Sequence, residues 1–261
     1  MIPYVRGRSR SREYDDVMLE AASLVKEGYQ EIVLSGIHVG GYGKDLNNMS
    51  FSKLVSSICN IEGLYRLRIS SIEESEIDDQ LIDLINQKDN LAKHLHIPLQ
   101  SGAAKTLKDM NRKYSKEHFL EKIKHIKKAC PDIALTTDVI VGFPGESDED
   151  FYETYEFIKE CGINMLHVFP FSPREGTLAY KMKNQVDPKI KKERVAKLIN
   201  LSNELWNNYC LKFVGKEVDV LIEQYDEINN VNIGHTSNYL EVKIKGDKPL
   251  VGKIIKTTYN I

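Results

Sequence analysis

The feature that most constrains the fold is a regular exchange of short apolar runs for amphipathic stretches over about the first two hundred residues. Helical spacing runs through Val17 to Val25, and Glu31-Ile-Val-Leu34 then reads as a buried strand. The same exchange recurs with helices at Phe51–Cys59, Ile77–Ile85, Lys116–Ala129 and Asp148–Glu160, and strands at Arg66–Ile69, His94–Leu99, Ala134–Val141 and Met165–Phe169. A long helix closes the series at Pro188–Leu211. Strands alternating with helices predict parallel β-α units. Five such strands are too few for a closed eight-stranded barrel and suit an open, partial parallel β/α barrel. Several strands end in small polar residues: Ser35-Gly36, Ser70-Ser71, Gln100-Ser101-Gly102 and Gly142. In a parallel barrel those ends face the active site.

After Phe213 the period changes to two. Val218, Val220 and Ile222 alternate with charged neighbours, and Tyr239–Ile244 and Val251–Tyr259 behave alike between turn-rich segments. This predicts a small antiparallel β-barrel over residues 212–261, following a larger α/β domain over residues 1–211.

At 261 residues, 41% hydrophobic and 28% charged, the chain has the make-up of an ordinary globular protein. No apolar run approaches the roughly 20 residues that span a bilayer, and no signal-peptide core follows Met1, so the expected location is the cytoplasm, with no membrane partner. Cys59, Cys130, Cys161 and Cys210 lie too far apart in sequence for a zinc or cluster site and read as reduced thiols. The net charge of −2 does not advertise nucleic acid, but the charge is local. Arginines alternate from Arg6 to Arg12; Lys105–Lys128 holds nine basic and three acidic residues, and Lys181–Lys197 seven and two. Such runs are solvated faces or a polyanion-binding surface.

Four motifs carry candidate chemistry. Asp138-Val-Ile-Val-Gly-Phe-Pro-Gly-Glu146 has glycines that either let a ligand approach the backbone or only permit a tight turn, and Ser147 with Asp150 suggests a capped helix start. His94-Leu-His-Ile-Pro-Leu-Gln-Ser-Gly102 places Gln100 and Ser101 at a strand end, with His94 and His96 on one face as core histidines rather than metal ligands. Leu34-Ser-Gly-Ile-His-Val-Gly-Gly-Tyr-Gly43 is glycine-rich without the Gly-Lys-Ser/Thr of a phosphate loop. Phe169-Pro-Phe-Ser-Pro-Arg-Glu-Gly-Thr177 presents Arg174 as a cation able to clamp an anion, or as a plain surface arginine.

In this order the motifs, with Ile2-Pro-Tyr-Val-Arg-Gly-Arg-Ser-Arg-Ser-Arg12, Ser70-Ser-Ile-Glu73 and Asn111-Arg112, resemble the methylthiotransferase branch of the radical S-adenosylmethionine superfamily. Residues 215–261, through Gly234-His-Thr-Ser-Asn-Tyr239 and Leu250-Val-Gly-Lys253, resemble a TRAM domain, which binds RNA in such enzymes. Ser35–Gly43 and the arginine–serine alternation are most similar to the threonylcarbamoyladenosine enzymes, implying methylthiolation of that nucleoside at position 37 of tRNA. Isopentenyladenosine in tRNA, a ribosomal protein, or RNA binding without catalysis are the alternatives.

The resemblance implies S-adenosylmethionine as cofactor, contacted by Ser71, Glu73, Gln100, Val141, Gly142 and Arg174, with a reductant such as flavodoxin or ferredoxin. It also implies 4Fe-4S clusters. The family holds one through C-x-x-x-C-x-x-C directly before the Ile-Pro-Tyr stretch, where this sequence starts, so the expectation is a chain without cluster ligands, inactive alone and prone to aggregate along an open sheet edge.

Overall fold

The computed structural model of the chain describes residues 7–261; the Ile2–Arg6 part of the N-terminal motif lies outside them. Helix α1 (Tyr14–Lys26) leads into strand β1 (Glu31–Leu34), then α2 (Phe51–Cys59), β2 (Arg66–Ile69), α3 (Asp79–Gln87) and β3 (His94–His96). Helices α4 (Ala104–Asp109) and α5 (Lys116–Ala129) precede β4 (Ala134–Val141), α6 (Asp148–Cys161) and β5 (Met165–Pro170). A short α7 (Leu178–Lys181) and the long α8 (Pro188–Leu211) complete the α/β part.

The helix starts are written locally. Ser50, Asp78 and Ser115 each accept a backbone N–H three residues on, and Pro188 opens α8 behind Asp187. Ser147 and Asp150 form a reciprocal capping box on α6, which ends at Gly162 in the left-handed conformation.

All five strands run parallel. Glu31 pairs with Arg66 at the start of β1–β2, His94 with Ala134 in β3–β4, and Thr136 with Met165 in β4–β5. Single bridges, Leu67 to Leu91 and Ser71 to His96, join the two sheets into one arc. The helix-facing side is apolar: Leu67, Ile69, Leu95, Leu135, Val139 and Leu166 are buried against α2, α3, α5, α6 and α8. The opposite face is polar, carrying Arg66, Arg68, His94, His96, Thr136, Asp138 and His167 at the alternate positions.

The second part is an antiparallel sheet of four strands, β6 (Glu217–Asp226), β7 (Val231–Thr236), β8 (Glu241–Lys245) and β9 (Ile254–Thr258), in the order β8-β7-β6-β9. A register shift between Ile222 and Gln224 bends β6. Strand β7 was not among the strands read from the sequence, and it begins inside the Asp226–Asn232 stretch that read as turn-rich. Its inward residues are Asn232, Gly234 and Thr236, so no apolar alternation announces it. Asn232 is held inside by Lys248 and Leu250 backbone groups, and Gly234 is required because a β-carbon would strike the Leu221 carbonyl.

This sheet packs beneath the N-terminal ends of β2–β4. Arg66 and Arg68 both pair with Glu31 and donate to the carbonyls of Asp219, His235, Thr236 and Ser237. The Tyr65 hydroxyl donates to Asp219 (2.6 Å), and the Tyr209 hydroxyl to the Asp132 carbonyl (2.6 Å). At the opposite ends of the parallel strands Ser71 is exposed and Gln100 and Asp138 are partly exposed, and these ends make up the mouth of the arc.

Candidate functional site

Four strand ends build the mouth. Gln100 sits in the left-handed region (φ 66°), which β-carbon crowding normally denies to a non-glycine residue. The backbone enforces it: Gln100 N–H donates to the Asp138 carbonyl (2.8 Å), and Ile140 N–H to the Gln100 carbonyl (2.9 Å). The half-buried Gln100 amide has no hydrogen-bond partner among the described residues. Its neighbour Ser101 points elsewhere: its hydroxyl is buried against Thr154 of α6 (3.1 Å) and accepts from Ala103 N–H, so it packs the turn and leaves the mouth to Gln100.

Ser71 is exposed after β2, bridged to His96. Glu73 follows, and its carboxylate lies 3.9 Å from Arg112, which brings the Asn111-Arg112 motif to the same rim. Val141 and Gly142 end β4 with their polar backbone engaged: Phe171 N–H donates to the Val141 carbonyl (2.8 Å), and Gly142 N–H to Glu146 (2.9 Å). The Lys191 stem covers the Gly142 α-carbon, and Gly142 has φ 72°, so a β-carbon is excluded there twice over. Arg194 of α8 ties down this turn by pairing with both Glu146 (2.5 Å) and Asp148 (2.7 Å); burial still pushes the Glu146 carboxyl above its ordinary range. Arg174 is exposed beyond β5, and among the described residues no hydrogen bond or ion pair joins its side chain to the other three ends.

Sequence reading missed the polar chain inside the arc. His96 Nδ1 meets Thr136 Oγ1 (2.9 Å), His94 Nε2 meets the same oxygen (3.1 Å), and His96 Nε2 lies 3.3 Å from Asp138 Oδ1. Asp138 is 29% exposed on its side chain, open toward the mouth beside Gln100. At the lower end His94 stacks on Tyr239 (4.7 Å), whose other neighbours are His235 (4.8 Å) and the Arg68 guanidinium (5.0 Å). Desolvation, then the Arg68 charge, pushes His94 down to about 3, so it is neutral. The available signal was Thr136 and Asp138, polar residues at alternate positions of a strand that ends in an apolar run.

No three His, Cys, Asp or Glu side chains among the described residues are placed to hold a metal ion. The four cysteines sit buried on separate elements, and burial raises the thiols of Cys59 to about 11 and Cys161 to about 12. They do not fit a cluster-binding loop, which needs close-set thiolates. No helix among the described residues is long and apolar enough to cross a membrane.

Comparison with other proteins fits this architecture. A threonylcarbamoyladenosine tRNA methylthiotransferase of Bacillus subtilis is 46% identical over 260 residues, 98% of this chain and 58% of its own length. A tRNA-2-methylthio-N(6)-dimethylallyladenosine synthase of Thermoanaerobacter pseudethanolicus is 41% identical over 97% of this chain and 54% of its own length. The chain thus spans little more than half the length of these relatives. Among solved structures, coproporphyrinogen III oxidase of Escherichia coli, a radical SAM enzyme, shares the fold at 16% identity and a TM-score of 0.53, covering 75% of this chain and 47% of that one. The Radical SAM superfamily family model matches residues 1–158, more than half of the sequence, and with the parallel arc and its open polar mouth it establishes that the chain belongs to the radical SAM superfamily.

Proposed function

We propose that this chain is the catalytic-domain portion of a transferase that methylthiolates adenosine in tRNA by radical S-adenosylmethionine chemistry, with the threonylcarbamoyl-modified nucleoside at position 37 as substrate. The observation that carries the reading is the greater similarity to the threonylcarbamoyladenosine relative than to the dimethylallyladenosine one over nearly the whole chain.

The mouth fits a nucleoside sulfonium. The uncommitted Gln100 amide and the open Asp138 carboxylate suit its hydroxyl and amino groups, and Ser71 and Glu73 line the adjoining strand end. Val141 and Gly142 give a wall of satisfied backbone for the adenine, and Arg174 supplies a cation at the rim. When bound, S-adenosylmethionine supplies the methyl group and the 5′-deoxyadenosyl group on which the superfamily's hydrogen abstraction depends. The chain's own part is to orient and to shield. Asp138 is held by His96, which is fixed in turn by Thr136, so the carboxylate keeps one direction without substrate. No step is assigned to an iron–sulfur cluster, since the cysteines here do not fit one.

The antiparallel sheet has the proportions of a TRAM-like RNA-binding module, with tRNA as partner and a flavodoxin- or ferredoxin-type protein as electron donor. Nucleoside mass spectrometry of tRNA from a strain deleted for the gene tests the reading. Loss of methylthio-threonylcarbamoyladenosine, restored on re-expression, is the expected result. Loss of the dimethylallyl derivative instead reassigns the substrate, and unchanged tRNA overturns tRNA methylthiolation.

A further inference from the structure

The glycine-rich loop after β1 leaves the same end of the arc as Ser71, Glu73 and Gln100, and it is clasped by one carboxylate. Glu76 lies one turn beyond Glu73, and its side chain is only 4% exposed. Its Oε1 receives both His38 Nε2 (2.8 Å) and the Lys44 ammonium (2.6 Å), and its Oε2 has no partner among the described residues. The loop backbone is pressed onto it: a β-carbon on Gly40 would lie 2.5 Å from Glu76 Oε2 and 2.6 Å from its Cβ, so only glycine fits. A buried carboxylate is costly unless paired, and here its pairing fixes an imidazole and an ammonium of one surface loop.

The two groups differ in what they have left. The other His38 ring nitrogen is packed against Gly41, where a β-carbon would lie 2.7 Å away. Lys44 is 67% exposed, and an ammonium has three donors, of which Glu76 takes one. The adjacent Asp45 does not compete, because Ser11 donates both its N–H (2.9 Å) and its hydroxyl (2.5 Å) to it. Lys44 therefore presents uncommitted donors at the rim from a stem anchored in advance. Arg174, the other rim cation, has no such tether among the described residues.

We propose that Lys44 is a specificity-determining residue, whose ammonium pairs with the free carboxylate of the threonylcarbamoyl group, and that Glu76 is its positioning residue. This rests on the substrate reading above. A dimethylallyl group is apolar and gives such a cation nothing to bind, whereas a threonylcarbamoyl group ends in a carboxylate.

The test is fluorescence anisotropy of the 261-residue chain with anticodon stem-loop hairpins carrying adenosine, threonylcarbamoyladenosine, its carboxyl methyl ester, or dimethylallyladenosine. Wild type binds the free acid about tenfold more tightly than the ester, the scale of one charge-assisted hydrogen bond. Lys44→Met abolishes that ratio, Lys44→Arg keeps most of it, and Glu76→Gln reduces it. A Lys44→Met chain that still separates acid from ester, or a wild type that does not, overturns the inference. Preference for the dimethylallyl hairpin overturns the substrate reading as well, and a wild type that binds none of the hairpins overturns both.

Discussion

The two ends of one set of strands carry polar residues for opposite purposes. At the lower end, Arg66 and Arg68 are almost fully buried, share Glu31, and spend their remaining donors on carbonyls of the antiparallel sheet. Above them, at the open end, Gln100, Asp138 and Glu73 keep unspent hydrogen-bonding capacity, and Gln100 is strained as well. Satisfied burial builds structure; unsatisfied exposure and strain mark the place where a ligand completes the set.

The largest effect expected from this contrast is at the lower end. Arg68→Leu leaves Glu31 with one cation instead of two and strands the Ser237 carbonyl, while the Thr236 carbonyl keeps only the Tyr239 N–H. Breaking a buried ion pair from one side costs about 3–5 kcal/mol. Urea unfolding should show that loss with both parts of the chain destabilised together. A loss below about 1 kcal/mol, the value of an exposed pair, would erase the contrast.

A smaller effect sharpens it by pH. His94 titrates near its ordinary 6.5 when unfolded but only at about 3 when folded, through desolvation and then Arg68, His96 and His167. Between those values the unfolded chain binds the extra proton, so stability is present at neutral pH and drains away as pH falls from 6.5 toward 3, at about 1.4 kcal/mol per unit while the difference lasts. His94→Phe should lack this portion of the slope. Identical acid profiles for the two proteins would show that His94 is protonated and hydrated in the fold.

Much of the lower-order structure was legible in the sequence, because it is locally written. The ends of α2, α5 and α8 fall where Ser50, Ser115 and Asp187-Pro188 place them, and β1, β2 and β4 where the apolar runs begin and end. What was not legible depends on contacts between distant residues. Arg66 and Arg68 read as ordinary charges on a short strand until residues more than 150 positions away covered them. Strand β7 was hidden because its inward side chains are polar and satisfied by a neighbouring loop. In the candidate site, Gln100 was named from its place at a strand end, and the fold leaves its amide without a hydrogen-bond partner among the described residues. Asp138 was passed over, although it opened a recognised motif, because only the fold aligns it with His96 and the mouth. Ser101 was misjudged for the converse reason: α6 supplies Thr154, which turns the hydroxyl inward.

The smallest predicted change separates strain from contact at the mouth. A non-glycine residue in the left-handed region costs about 1–3 kcal/mol, and glycine loses roughly 0.5–1 kcal/mol more on ordering. Gln100→Gly should therefore gain about 1 kcal/mol of stability at a position where the side chain makes no hydrogen bond to the described residues. If the amide serves a ligand, the same substitution should weaken binding of S-adenosylhomocysteine, followed by titration calorimetry. The two readouts move oppositely only if the strain is retained for binding. Gln100→Asn keeps an amide and tolerates the same backbone, so it should bind better than the glycine variant without matching its stability. A glycine variant that is less stable than wild type would mean that the Gln100 stem packs the turn, and that the open end is held together in the same way as the closed one.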